Sequence, residues 1–342
     1  MCFRICNQNL RGSPISITSF QDGFANSRTL QEIWGYDNSD FIRFLRSRGF
    51  YVVERAASNY DRTYFSVTST MKMQYLDRIY RYVGNKIERQ TVYERMLQTN
   101  YVISVFKQLG YKIINVSSGS GGTDWMLEAD ETVRCTPINH FTLALLLLTP
   151  LRTVDRYVPL LRDALAEVSL CPSRHLKRLI DLPGPKFVLL HTLLSHQPFL
   201  FRDDGSRLPL DPALHCASGT PEMYVGQLRF AQKQLESWVD LIHSKPGMKP
   251  IIIIQSDHGP NLPMAMRALV NERMRILSAY YFPAVNNRGL YESMTPVNTF
   301  RVLLNDYFHT DLPLLPDHSF YARKIHSIDL GDFENADRYL HF

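Results

Sequence analysis

Five short runs of the chain are apolar and partly β-branched, and between them apolar residues recur at three- and four-residue steps. The runs are PISITSF (Pro14–Phe20), FYVVER (Phe50–Arg55), YKIINV (Tyr111–Val116), KFVLLH (Lys186–His191) and PIIIIQS (Pro250–Ser256). The last three are apolar almost throughout rather than alternating, which predicts strands buried on both faces of a parallel sheet. The stretches between them read as helices with recognisable ends. Asn38 or Ser39 caps DFIRFLRSR and Gly49 stops it, and a second helix runs from Thr91 to Gly110. From Tyr224 to His243, Leu228, Ala231, Leu235, Trp238 and Ile242 share one face. Thr295 and Pro296 open VNTFRVLLNDYF as N-cap and first-turn proline. Strands alternating with helices predict an α/β fold, a mostly parallel sheet with helices on both faces. No repeat or linker interrupts the pattern, so residues 14–342 read as one domain behind an irregular segment, 1–13.

Composition narrows the classes. The 342 residues are 45% hydrophobic and 21% charged, with a formal net charge of +5. The charges are scattered, with Arg alternating with Asp and Glu, so they form no nucleic-acid footprint. A mildly basic surface suits an anionic substrate or lipid headgroups. Cys2, Cys6, Cys135, Cys171 and Cys216 are odd in number and widely spaced, which predicts free or buried thiols rather than a disulfide framework. MCFRICNQNLRGSP lacks the apolar centre of a signal peptide. Phe141–Leu151 is about half the length needed to span a bilayer and contains Pro150, which predicts a buried helix and no membrane span.

Four segments carry candidate chemistry. In IIIIQSDHGP an apolar strand runs straight into Asp257 and His258. Ligands bind at the carboxyl ends of strands in open α/β sheets, and a carboxylate beside an imidazole there offers two ligands to a divalent metal. SITSFQDGF places a second carboxylate, Asp22, at the same edge, with Gly23 permitting a tight turn. SNYDRTYFSVTSTMKM leads a loop into a helix whose first residues include Thr63 and Ser66. A helix N-terminus suits a phosphate or sulfate oxyanion, but by spacing alone a hydroxyl there is an N-cap. HTLLSHQPFLFRDDG releases His191 and His196 into a loop with Asp203 and Asp204, placed to hold substrate oxygens or to protonate a leaving group.

Taken in this order, these segments resemble the alkaline phosphatase and sulfatase superfamily, and within it the bacterial sulfatase-like proteins related to lipoteichoic acid synthase, a phosphoglycerol transferase. The likeness rests on FQDGF, GYDNSDFIRFLRSRGFYV, the Thr63 loop, HTLLSHQPF, the long helix, SDHG and YESMTPVNTFRVLLNDYF, and it covers roughly Pro14 to Asp317. It implies an alkaline-phosphatase-like sandwich with a metal site at the strand ends. Asp22, Asp257 and His258 then resemble metal ligands, and Thr63 a metal-bound nucleophile. His196 resembles a substrate-binding histidine, with His191 beside it. The implied cofactor is one divalent ion, Mn, Zn or Mg. The implied partner is an anionic phosphate or sulfate ester, lipid- or glycan-linked in that family.

The chain departs from the family in three places. No Cys-x-Pro-x-Arg or Ser-x-Pro-x-Arg occupies the nucleophile position, which argues against an orthodox formylglycine sulfatase. Gln232 and Lys233 stand where two-metal members carry an aspartate, so a single metal is expected, with Lys233 supplying charge toward the substrate. The first strand, SPISITSF, is more polar than in relatives. Relatives also carry membrane helices or a signal segment upstream and work outside the cytoplasm. The sequence itself assigns no compartment. The functions carried forward are phosphoryl transfer through a Thr63 intermediate, sulfate ester hydrolysis without formylglycine, and anion binding by an inactive domain.

Overall fold

The three most apolar runs all become strands of one seven-stranded sheet. The computed structural model describes residues 15–76, 89–119, 121–135, 145, 149–150, 160–208, 219–260, 266–322, 333–340 and 342. In chain order the elements begin with β1 (Ser16–Gln21), α1 (Ser27–Trp34), α2 (Ser39–Ser47), β2 (Tyr51–Val52) and α3 (Thr63–Lys72). Next come α4 (Arg89–Gln98), α5 (Tyr101–Gln108), β3 (Lys112–Val116), β4 (Glu131–Val133), α6 (Leu160–Ser169) and α7 (Cys171–Asp181). Then follow β5 (Lys186–Thr192), α8 (Pro221–His243), β6 (Ile251–Ser256), α9 (Met266–Met274), β7 (Ser278–Tyr281) and α10 (Pro296–Phe308). A hairpin of β8 (Phe320–Ala322) and β9 (Phe333–Asn335) lies outside the main sheet.

The strand order is β2-β7-β6-β1-β5-β3-β4. From β6 to β4 every pairing is parallel, and β7 runs antiparallel to both β6 and β2. Alternate residues of the buried strands feed two cores. Phe187, Leu189, Ile251 and Ile253 join Phe20 on one face, packed against Val67, Phe106 and Phe300 from α3, α5 and α10. Val188, Leu190, Ile252 and Ile254 join Ile17 on the other, against Leu45, Leu228, Leu235 and Trp238 from α2 and α8. Burying each such side chain stabilises the fold by roughly 1.5–3 kcal/mol before entropy, so both layers are bound tightly to the sheet. β1 is polar, as its sequence shows, yet it occupies the centre. Ser16 and Thr18 lie in register with Phe187 and Leu189 on one side and Ile251 and Ile253 on the other.

Several expectations change. The helix read from Thr91 to Gly110 is two helices, α4 and α5. Asn100 breaks it by adopting an extended backbone and accepting a hydrogen bond from the Ile103 N–H at 2.8 Å, an N-cap that outweighs the continuing apolar periodicity. Of FYVVER only Tyr51–Val52 pairs, antiparallel to β7. The expectation of free thiols fails at Cys135 and Cys171, which form a disulfide across 36 positions. Their approach is set by the packing of α7 beside the segment after β4, which spacing alone does not reveal. Segment 1–13 and most of Phe141–Leu151 lie outside the described residues; Leu145 of the latter is half exposed. Among the described residues no helix is long and apolar enough to cross a membrane.

Candidate active site

Register brings the two carboxylates together. Gln21 pairs with Ser256 at the last rung between β1 and β6, so the next residues, Asp22 and Asp257, leave adjacent strands side by side. Ser256 ties these ends: its hydroxyl contacts the Gln21 carbonyl and accepts a hydrogen bond from the Phe24 N–H at 3.0 Å. Ser195 donates to the Asp22 carbonyl at 2.8 Å and Tyr224 to the Gly23 carbonyl at 3.0 Å, which anchors the β5 loop and α8 to the same turn. Gly259 is required by a close approach. A Cβ there would fall 1.8 Å from the Glu272 carbonyl oxygen.

Thr63 is the first residue of α3, and Arg62 occupies the N-cap position. The capping role that spacing suggested for Thr63 is therefore not the one the fold uses. Its Oγ1 lies 3.0 Å from Nε2 of His258. Ser66, one turn on, donates to the Asp257 carbonyl at 2.6 Å and pins α3 against the end of β6. Nδ1 of His258 is 3.0 Å from the Gly259 carbonyl, to which it donates, so Nε2 is the acceptor. That nitrogen lies 3.5 Å from Asp22 Oδ1 and 3.4 Å from Asp257 Oδ2.

His191, at the end of β5, joins the cluster. Its Nε2 is 3.7 Å from Asp22 Oδ2 and 3.9 Å from Asp257 Oδ2, while Thr123 holds its Nδ1 at 2.7 Å. His196 stands at the rim, partly exposed, with Nε2 3.9 Å from Asp22 Oδ1. Lys233 lies apart: its ammonium is exposed and donates to the Asp203 carbonyl at 2.8 Å. Gln232 is buried and accepts from the Tyr36 hydroxyl at 2.6 Å. Asp203 and Asp204 form an exposed turn, with Asp204 accepting from the Ser206 N–H.

Asp22, Asp257, His191 and His258 are buried, and buried charge is costly. Burial pushes the Asp22 carboxyl up to about 7, against the pull of Arg273 and the Thr63 hydroxyl. Burial and the neighbouring Asp22 push Asp257 well above the usual carboxylate range. Burial and Arg273 hold His258 well below the usual imidazole range, so it is neutral. Asp22 Oδ1 and Asp257 Oδ2 are buried oxygens without a hydrogen-bond partner. Two adjacent carboxylates with orphaned oxygens and a neutral imidazole fit a divalent cation better than they fit one another. Asp22, His191 and Asp257 offer ligand atoms that all lie within 4.8 Å of one another.

Sequence reasoning missed two members of the site. Arg273, near the end of α9, places its guanidinium 3.1 Å from His258 Nε2, and Thr123 orients His191. Arg273 sits in RALVNERMRIL, where no local motif separates it from an ordinary surface arginine.

No protein-family model and no curated protein matches the sequence. Solved structures do match in fold. The C-terminal periplasmic domain of EcEptC from Escherichia coli superposes with a TM-score of 0.62 at 10% identity, covering 98% of this chain and 95% of that one. That domain has also been crystallised in complex with Zn. The integral membrane lipooligosaccharide phosphoethanolamine transferase A (EptA) of Neisseria meningitidis gives a TM-score of 0.54 at 11% identity, over 88% of this chain and 56% of that one. A protein in the alkaline phosphatase superfamily from Vibrio parahaemolyticus gives 0.54 at 11% identity, over 92% and 73%. The fold of this chain is that of the alkaline phosphatase and sulfatase superfamily.

Proposed function

We propose that the chain is a metal-dependent enzyme that transfers or hydrolyses phosphate esters or phosphodiesters through a covalent intermediate on Thr63. The observation that carries this reading is the convergence of Asp22, Thr63, Asp257 and His258 at the carboxyl ends of β1 and β6, with Thr63 Oγ1 3.0 Å from His258 Nε2. Asp22, Asp257 and His258 would hold one divalent ion (Zn, Mn or Mg), and the position of His191 adds it to that set. The bound ion would lower the pKa of the Thr63 hydroxyl and take up negative charge on the attacked group. Thr63 Oγ would form a bond to phosphorus as the bond to the leaving oxygen breaks, and His196 at the rim would hold a substrate oxygen while solvent protonates the leaving group. A hydroxyl of water, sugar or lipid then takes the phosphoryl group and frees Thr63. In the first turn of α3 the Phe65 and Ser66 N–H groups bond to the Arg62 carbonyl, and the N–H groups of Thr63 and Tyr64 would be the ones available to an oxyanion.

The substrate class this reading favours is an anionic ester linked to a lipid or glycan. The fold it shares with a lipooligosaccharide phosphoethanolamine transferase supports that choice. Lys233 bonds to the Asp203 carbonyl outside the cluster, which leaves the charge toward the substrate to another residue. The test is direct. Asp257→Asn and His258→Ala should each abolish stoichiometric zinc binding while the circular dichroism spectrum persists, and turnover of an aryl phosphate or phosphodiester should vanish with it. Full zinc stoichiometry in either variant would show the ligand set to be wrong.

A further inference from the structure

The remaining cationic group at the cluster is Arg273, and its three nitrogens have separate tasks. Nε donates to the Asp61 carbonyl at 2.8 Å and Nη1 to the Gly259 carbonyl at 2.6 Å. These two anchors come from different segments, the loop before α3 and the turn after β6, and they fix the plane of the guanidinium. Nη2 is left facing inward, 3.1 Å from His258 Nε2. The same His258 nitrogen is the one that Thr63 Oγ1 reaches at 3.0 Å. Arg273 Nη2 and the Thr63 hydroxyl therefore converge on one point, and Arg273 is partly exposed.

We infer that Arg273 is the anion-binding residue of this site, gripping a non-bridging oxygen of the phosphate or sulfate group beside Thr63. The inference rests on the metal reading of the previous subsection. A cation held by Asp22, Asp257 and His258 takes the Nε2 lone pair, and Arg273 Nη2 then loses its acceptor while both anchors remain. A planar guanidinium fixed at two corners presents its third nitrogen without paying for orientation, and its charge cannot be titrated away. The exposed Lys233 ammonium donates to the Asp203 carbonyl, away from this point.

The test uses the full chain with zinc and inorganic phosphate as probes. Calorimetry measures zinc binding, and then phosphate binding to the zinc-loaded protein, for wild type, Arg273→Ala and Arg273→Lys, with a thermal melt of each. The expected result is zinc affinity equal to or tighter than wild type, since a competing cation is gone. Phosphate affinity should fall by about tenfold or more, the order expected for loss of a charge-assisted hydrogen bond. Unchanged phosphate affinity in a folded, zinc-loaded alanine variant overturns the inference. Should the alanine variant fail to fold, the lysine variant decides: one ammonium cannot hold both carbonyls and still meet the anion, so wild-type phosphate affinity in it is equally fatal. A wild-type protein that binds no zinc, yet binds phosphate in an Arg273-dependent way, refutes the metal reading and supports the arginine. Zinc binding with phosphate affinity indifferent to Arg273 does the reverse.

Discussion

Thr63 Oγ1 and His258 Nε2 lie 3.0 Å apart although 195 positions separate them in the chain. Because Arg62 holds the cap position of α3, Thr63 is free for chemistry, and substitution separates the two roles. Thr63→Ala should change stability by less than about 1 kcal/mol, below the usual cost of deleting a true N-cap. Turnover should fall by roughly 10³-fold or more, as expected for loss of a nucleophile. Thr63→Ser should retain part of the activity. Intact-mass analysis during turnover should show a transient phosphoryl adduct in the wild type and none in the alanine variant. Near-normal turnover without Thr63 would end the covalent reading.

Metal affinity should depend on pH in a defined direction. Asp22 carries a carboxyl pushed up to about 7, and a cation requires its ionised form. Below that value, binding must first expel a proton, so zinc affinity should weaken by about tenfold per pH unit for each proton released. Asp257, pushed higher than usual by burial and by Asp22, steepens the slope. Burial and Arg273 hold His258 well below the usual imidazole range, so the carboxyls dominate the proton release. Zinc titrations in buffers of different ionisation enthalpy count the protons directly. An affinity that is flat from about pH 5.5 to 7.5 would contradict the buried-carboxylate account.

Two glycines should respond in opposite ways to alanine. Gly259→Ala drives a Cβ to 1.8 Å from the Glu272 carbonyl oxygen, and backbone must move at the site itself. We expect a loss of several kcal/mol, of the size seen for severe overpacking, together with loss of zinc binding. Gly226 lies inside α8, and its Cβ would meet only the Asp203 nitrogen at 3.9 Å. Gly226→Ala should therefore raise stability by about 0.5–1 kcal/mol through helix propensity. Thermal melts of the two variants measure both effects.

The Cys135–Cys171 bond closes a loop whose ends are 36 positions apart. Loop-closure entropy of that size stabilises the fold by roughly 3–4 kcal/mol. Replacing both cysteines with serine should lower the midpoint of urea unfolding accordingly. Alkylation of the denatured, unreduced protein should leave Cys135 and Cys171 unlabelled, and labelling of both would refute the pairing.

Much of the fold was legible because it is written locally. The centres of KFVLLH and IIIIQS, FVLL and IIII, are β-branched or apolar at every position, the pattern of a strand covered on both faces. Asp257 and His258 were conspicuous for the same reason, as a costly polar pair at the mouth of a hydrophobic strand. Local reading failed where two signals competed. Asn100 sits within an unbroken apolar periodicity, and its side chain still captured the Ile103 N–H and ended one helix to start another.

What tertiary structure alone decided is which distant groups meet. The register of β1 against β6 set Asp22 beside Asp257, and a slip of one residue would have turned either carboxylate to the other face. The disulfide needed α7 to pack beside the segment after β4, and five scattered cysteines hold no record of that distance. Arg273 acquired its place from the carbonyls of Asp61 and Gly259. Every residue has a carbonyl, so a site built on backbone acceptors leaves no mark in side-chain identity. The sequence by itself therefore determined the buried strands and offered Asp22, Thr63, Asp257 and His258 as candidates for chemistry. The burial that raised two carboxylates, and the guanidinium that faces them, arose only when the chain closed around them.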